Sequence, residues 1–180
     1  SRCPLAIKDY ISITKKLQLA NFPVPEIYFY NLDKCWFLIS DFGNTWLAKH
    51  YRPCNNNYYK KAIDILLGAQ SNTLLKHEEW PKYDDNKLLD ELILFPKWYC
   101  EVYQNAPLSN IEQEQFQHCC HILLEQARSQ PQTWVHRDYH SRNIMVLGKD
   151  ALGIIDYQDA VWGPISYDLV SLLRDCYYCF

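Results

Sequence analysis

The chain has 180 residues, 48% of them hydrophobic, and a formal net charge of -3. That hydrophobic share supports a packed core and excludes a disordered chain, while mixed charge and a sequence pI near 6.0 leave no basic footprint for nucleic acid. No apolar run reaches the roughly 18 residues that a membrane helix needs.

Residues 5–20 read as a helix, with Leu5, Ile11, Ile13, Leu17 and Leu19 set among lysines and Asn21-Phe22-Pro23 closing it. Val24–Tyr30 and Cys35–Ser40 read as two strands joined by the polar turn Asn31–Lys34. Residues 58–70 place Ala62, Ile65, Leu66 and Ala69 on one helical face. Residues 86–104 carry Leu88, Leu89, Leu92 and Leu94 on a further helix, which Pro96 is expected to kink or break. Ser109 and Glu112 have the spacing of a capping box, opening a helix that runs to about Ser129 and stops at Pro131. Thr133–His136, Ile144–Leu147 and Leu152–Ile155 are short β-like runs, and Tyr167 to about Cys179 reads as a final helix. The predicted class is α+β: a small β part over residues 1–42, then a helical part over 43–180 that carries short strands.

Eight cysteines raise the question of disulfides or zinc. Phe116, Cys119, Cys120, Leu123, Leu124 and Ala127 make a helical apolar stripe, so both cysteines are expected to be small core hydrophobes. His118 and His121 share a helix face that the two cysteines do not, which argues against a zinc site. Cys176 and Cys179 form a C-x-x-C on the final helix, with neither a second pair nor the preceding strand of a redox motif. Ser1-Arg2-Cys3-Pro4 does not read as a signal peptide, and scattered cysteines are expected in a reducing cytoplasm. The five glycines provide neither G-x-G-x-x-G nor, with Ile154 after Gly153, a P-loop, so no glycine cradle for phosphate is expected in this chain.

The strongest chemical signal is His136-Arg137-Asp138-Tyr139-His140-Ser141-Arg142-Asn143, followed by Ile154-Ile155-Asp156. Asp138 and Asn143 have the spacing of the kinase catalytic loop H-R-D-x-x-x-x-N, and Asp156 comes thirteen residues after Asn143 at a strand end. Phosphoryl transfer depends mainly on positioning and charge neutralisation. A carboxylate must orient the attacking hydroxyl, and Asp138 is placed for that. Magnesium wants hard oxygens and few protein ligands; Asn143 and Asp156 supply an amide oxygen and a carboxylate. Strands Ile144–Leu147 and Leu152–Ile155, pairing over Gly148–Ala151, would bring Asn143 and Asp156 together at the open end of a hairpin.

These residues, with Tyr157-Gln158-Asp159-Ala160 and Gly163-Pro164-Ile165-Ser166-Tyr167-Asp168-Leu169, resemble the aminoglycoside phosphotransferase (APH) and choline kinase-like superfamily. Within it, the likeness is greatest to bacterial anomeric amino-sugar kinases acting on N-acetylmuramate and N-acetylglucosamine in cell-wall recycling. Pro25-Glu26-Ile27 and Phe37–Leu47 resemble the strand and hinge between the lobes, and Leu94–Tyr99 resembles the substrate-lobe helix. The resemblance implies a two-lobed protein kinase-like fold, ATP and Mg2+, and a small-molecule hydroxyl as acceptor. It implies Asp138 as catalytic base, Asn143 and Asp156 as metal ligands, and Ile39, Ser40, Asp41 and Phe42 as the nucleotide hinge. Asp168 would brace the catalytic loop by accepting backbone N–H bonds, and His136 would support the same loop.

His140 and Arg142, beside the base, are candidates for substrate or phosphate contact, or for a salt bridge within the loop. Asp159 is a candidate second carboxylate near the metal, or a turn residue. Trp98, Tyr99, Tyr103 and Trp162 could stack on a sugar, with core packing expected for most. Asp41-Phe42-Gly43 spells D-F-G but precedes the catalytic loop by about a hundred residues, so it reads as hinge, with Gly43 allowing a tight turn. Lys8, Lys15 and Lys16 lie on the first helix, so no strand lysine is available to hold phosphates. Residues 1–42 are therefore expected to be the end of an N-lobe and 43–180 most of a C-lobe within something longer. Other acceptors (an aminoglycoside, choline, a homoserine-like alcohol) and a non-catalytic kinase-like binding module are the competing readings.

Overall fold

A computed structural model describes residues 3–49, 57–75, 80–148 and 151–177. Helix α1 (Cys3–Leu19) turns Ile7, Ile11, Thr14 and Leu17 inward at helical spacing. Asn21, at φ 57, ends it in the left-handed conformation that asparagine tolerates. Strands β1 (Ile27–Asn31) and β2 (Trp36–Ile39) pair antiparallel, with Asn31 opposite Trp36. The first strand begins three residues later than its apolar run suggests. Pro23 and Pro25 have no N–H to offer a ladder. Tyr10 joins this hairpin to the rest, stacking on Phe37 at 4.8 Å and on Tyr157 at 5.5 Å.

Helix α2 (Asn57–Gln70) buries Tyr59, Ala62, Leu66 and Ala69. Helix α3 (Asp85–Leu92) starts at Asp84, whose carboxylate accepts the Lys87 N–H at 3.1 Å. Pro96 then breaks the α-helical ladder, and Phe95–Tyr103 continues as a wider π-helical segment. Its hydrogen bonds span five residues, as from Gln104 N–H to the Tyr99 carbonyl at 2.9 Å. Helix α4 (Asn110–Ser129) opens with the capping box: Ser109 N–H donates to Glu112 at 2.8 Å while Glu112 N–H donates back to the Ser109 hydroxyl.

Strand β3 (Gln132–Val135) pairs antiparallel with β6 (Val161–Pro164). Strand β6 is unforeseen, because Gly163 and Pro164 read as strand breakers. Gly163 is needed there: a Cβ would come within 2.9 Å of Tyr83. Strands β4 (Ile144–Val146) and β5 (Leu152–Ile154) form the expected hairpin, whose turn residues 149 and 150 lie outside the described residues. One core, including Leu17, Leu47, Leu66, Trp134, Ile144, Ile154 and Leu172, draws on α1, α2, α5 (Tyr167–Leu173) and the β3–β6 and β4–β5 pairs.

Three expectations are corrected. Helix α5 (Tyr167–Leu173) ends well before Cys179, because Asp175 leaves the helix to accept backbone N–H groups of Ser141 and Tyr177; Cys176 is therefore not helical, and Cys179 lies outside the described residues. Cys120 is buried, but Cys119 is exposed, since α4 buries only a narrow stripe. Trp98, Tyr99 and Tyr103 are exposed rather than core. On the π-helical segment Tyr99 stacks on Tyr103 at 5.9 Å, and the Lys97 ammonium lies over the Trp98 ring at 5.3 Å. The described cysteines Cys35, Cys100, Cys119, Cys120 and Cys176 are free thiols. Among the described residues no helix is long and apolar enough to cross a membrane.

Candidate active site

The loop after β3 is held from below by one carboxylate. Asp168, fully buried in the first turn of α5, accepts the His136 N–H at 2.7 Å and the Arg137 N–H at 3.0 Å. Burial pushes its pKa up to about 7, the two N–H bonds pull it down, and the Asp138 charge adds to the rise. Arg137 sits at φ 78, a conformation that costs an arginine about 1 kcal/mol or more and persists only where neighbours fix it.

His136 links the two halves of the site. Its Nδ1 accepts the Asp138 N–H at 3.2 Å, so the ring proton belongs on Nε2, which meets the Ile155 carbonyl at 3.1 Å. Complete burial lowers its pKa to about 4, which keeps the ring neutral. The ring thus ties the loop after β3 to the end of β5 without adding charge.

The β4–β5 hairpin closes the other side. Ile144 pairs with Ile154, and Ile155 N–H donates to the Asn143 carbonyl at 3.0 Å. The Asn143 amide nitrogen donates to the Asp138 carbonyl at 3.0 Å and lies 3.4 Å from Asp156 Oδ2. With its nitrogen so engaged, the Asn143 amide keeps its oxygen as an acceptor. Asp156, at φ 67, accepts Gln158 Nε2 on its other oxygen at 2.7 Å. An amide oxygen and a carboxylate on side chains that meet are a donor set that suits magnesium, which takes few protein ligands and completes its shell with water and phosphate oxygens. Among the described residues no three His, Cys, Asp or Glu side chains form a metal cluster. Asp138 is half-buried, and burial raises its pKa, with the Asp156 charge adding to the effect.

Two cavities flank these residues. One, of about 640 Å³, is bordered by Asp138, His140, Tyr167, Val170, Arg174 and Tyr177. The other, of about 340 Å³, lies between Ile39–Gly43 on one wall and Met145 and Ile155 on the other. The Phe42 ring lies so close to β5 that a Cβ on Gly153 would stand 2.4 Å from it. Ser40 N–H is already engaged by the Glu26 carbonyl at 2.8 Å, so that amide belongs to the strand ladder. Asp41 Oδ1 accepts the Gly43 N–H at 2.7 Å, and Gly43 has φ 75, so this D-F-G is a local turn.

His140 Nδ1 accepts the Arg142 N–H at 3.3 Å, and its Nε2 lies 3.5 Å from the Asn143 amide. The Arg142 guanidinium covers the Tyr177 ring at 3.7 Å instead of forming a salt bridge within the loop. Asp159 is exposed. The roles of four residues escaped the sequence reading. Glu91 pairs with Arg137 at 2.8 Å and accepts the Tyr167 hydroxyl at 2.7 Å, anchoring the loop to α3. Asp175 accepts the buried Ser141 N–H at 2.7 Å, doing for the end of the loop what Asp168 does for its start. The signal for Asp175 was its spacing of seven from Asp168, two helical turns on one face. Arg174 beside it gave no signal of its own, and Tyr167 was read only as part of the motif around Asp168 and the start of the final helix.

The sequence profile of the phosphotransferase enzyme family (APH) matches residues 4–178. The chain belongs to this family. It is 32% identical over 178 residues to an N-acetylmuramate/N-acetylglucosamine kinase of Neisseria meningitidis serogroup B, covering 96% of this chain and 52% of that protein. It is equally 32% identical over 171 residues to the kinase of the same name from Pseudomonas putida, covering 94% and 50%. The chain thus spans about half the length of the curated relatives it matches. The fold is similar to that of ADP-bound aminoglycoside phosphotransferase APH(2'')-Ib, with a TM-score of 0.63 at 15% identity, covering 97% of this chain and 62% of the other. It is also similar to the choline kinase LicA of Streptococcus pneumoniae, with a TM-score of 0.60 at 13% identity, covering 96% and 57%. The chain therefore has the fold of these kinases and phosphotransferases and belongs to the APH family.

Proposed function

We propose that the protein carrying this chain transfers the γ-phosphoryl group of ATP to the anomeric hydroxyl of an amino sugar, N-acetylmuramate or N-acetylglucosamine. The observation that carries this reading is the position of Asp138, which borders the larger cavity while its carbonyl holds the Asn143 amide beside Asp156. The names of the 32%-identical relatives supply the acceptor.

Asp138 accepts the proton of the sugar hydroxyl as the oxygen bonds to phosphorus, and the bond from phosphorus to the ADP oxygen breaks. Its raised pKa makes it a better proton acceptor than a surface aspartate. Asn143 and Asp156 would hold magnesium, which supplies positive charge against the transferring phosphoryl group. The smaller cavity takes the adenine, with Ile39 to Phe42 as its edge and Met145 and Ile155 as apolar walls. Residues 1–42 belong to the end of the N-lobe and 43–180 to the C-lobe. A cytoplasmic role in cell-wall recycling fits the free thiols and the acceptor.

The test is ADP release from the full-length protein given each amino sugar and a panel of aminoglycosides. Turnover of the amino sugars alone supports the reading. Turnover of an aminoglycoside alone, or of no acceptor, contradicts it.

A further inference from the structure

We infer that Arg174 is the residue that recognises the carboxylate of an acidic acceptor in the larger cavity. The inference rests on the amino-sugar reading and deepens it. The relatives are named for two acceptors that differ in charge. N-acetylglucosamine is neutral, whereas N-acetylmuramate carries a lactyl ether ending in a carboxylate, away from the anomeric hydroxyl. A site serving both needs a base at one end and a cation that only the acid uses.

The cavity has this arrangement. Asp138 borders it from the catalytic loop, and Arg174 borders it from the end of α5. Arg174 is exposed, and its backbone N–H is satisfied by the Val170 carbonyl at 2.8 Å. The other described arginines are all committed: Arg128 to Asp85, Arg137 to Glu91, and Arg142 to the Tyr177 ring. Among the described residues, no carboxylate pairs with the Arg174 guanidinium. Its neighbour Asp175 is buried, with its oxygens on the N–H groups of Ser141 and Tyr177. Among the described residues, Arg174 is thus the arginine on the cavity's border whose guanidinium fork is uncommitted, and its planar donors match a carboxylate in a bidentate pair.

The experiment compares Arg174→Gln and Arg174→Lys with the parent in the full-length protein, measuring KM and kcat for each sugar and KM for ATP. Losing a charge-assisted bond to the substrate should raise the N-acetylmuramate KM by roughly ten- to a hundredfold in Arg174→Gln. KM for N-acetylglucosamine and for ATP should stay within about twofold of the parent, on the same warrant that neither uses the guanidinium. Arg174→Lys, a point charge without the fork, should restore part of the loss. Equal effects on both sugars, an effect on ATP alone, or no effect overturns the inference. If the parent turns over N-acetylglucosamine but not the acid, the inference also falls while the amino-sugar reading stands. If the parent turns over neither sugar, the amino-sugar reading itself falls and takes the inference with it.

Discussion

The Asn143 amide nitrogen lies 3.4 Å from Asp156 Oδ2, although thirteen residues separate the two in sequence. The β4–β5 hairpin makes this closure, and the bond from Asn143 to the Asp138 carbonyl leaves the amide oxygen as an acceptor. Asp156→Asn and Asn143→Ala should each raise the magnesium concentration needed for half-maximal activity by at least about tenfold, since even residues behind the ligands are worth that much. Magnesium titrations of the ADP-release rate measure it. Unchanged half-saturation would remove these two residues from the metal site.

Asp138→Asn should lower kcat by roughly a hundred- to ten-thousandfold, the usual share of general base catalysis, with little change in KM for ATP. The parent's kcat/KM should rise with pH along an acid limb whose midpoint lies above the ordinary carboxylate range, because burial and the Asp156 charge both oppose ionisation. Retention of that limb in Asp138→Asn would assign it to another group.

Asp168→Ala should cost roughly 2–5 kcal/mol of stability, because it leaves two backbone N–H groups in a buried loop without an acceptor. Asp168→Asn keeps one side-chain oxygen and should fall between. In both variants kcat should drop more than KM, because the loop that places Asp138 loosens. Chemical denaturation read beside steady-state kinetics tests this, and equal stability of all three proteins would contradict it.

His136 makes a pH prediction. Its folded pKa of about 4 lies below its ordinary value of 6.5, so the folded state binds fewer protons than the unfolded state between those values. The stability gained from a neutral ring is present above pH 6.5 and is lost as pH falls toward 4. Asp168, raised to about 7, has the opposite slope in the same window, so the parent's own curve mixes the two. The difference between the parent and His136→Gln isolates the histidine. It should shrink by about 3 kcal/mol between pH 7 and pH 4. A pH-independent difference would mean that the ring is not held neutral.

Residue types and spacing made much of this site legible. Asp138, Asn143 and Asp156 stand out because metal and proton chemistry restrict which side chains can serve, and two apolar runs flanking a turn announce the hairpin between them. The capping box at Ser109 was equally readable, since both partners lie within one turn. What stayed hidden depends on distant contacts. Strand β6 exists because β3 offers it a partner, despite Gly163 and Pro164. Glu91 matters because α3 passes beside Arg137, forty-six residues away. Arg174 and Asp175 read as positions inside the final helix until the end of α5 is seen against the loop after β3. Core packing was expected for most of Trp98, Tyr99, Tyr103 and Trp162, because aromatic side chains are usually inside, but the first three lie exposed on the π-helical segment.

The central claim is that Asp138 drives phosphoryl transfer to a sugar's anomeric oxygen. Phosphorus NMR of the product, formed by the full-length protein from ATP, magnesium and N-acetylmuramate, tests it most directly. The predicted result is a phosphate resonance coupled to the anomeric proton, absent over the same interval with Asp138→Asn. Phosphate on another hydroxyl, or equal product from both proteins, would contradict the account.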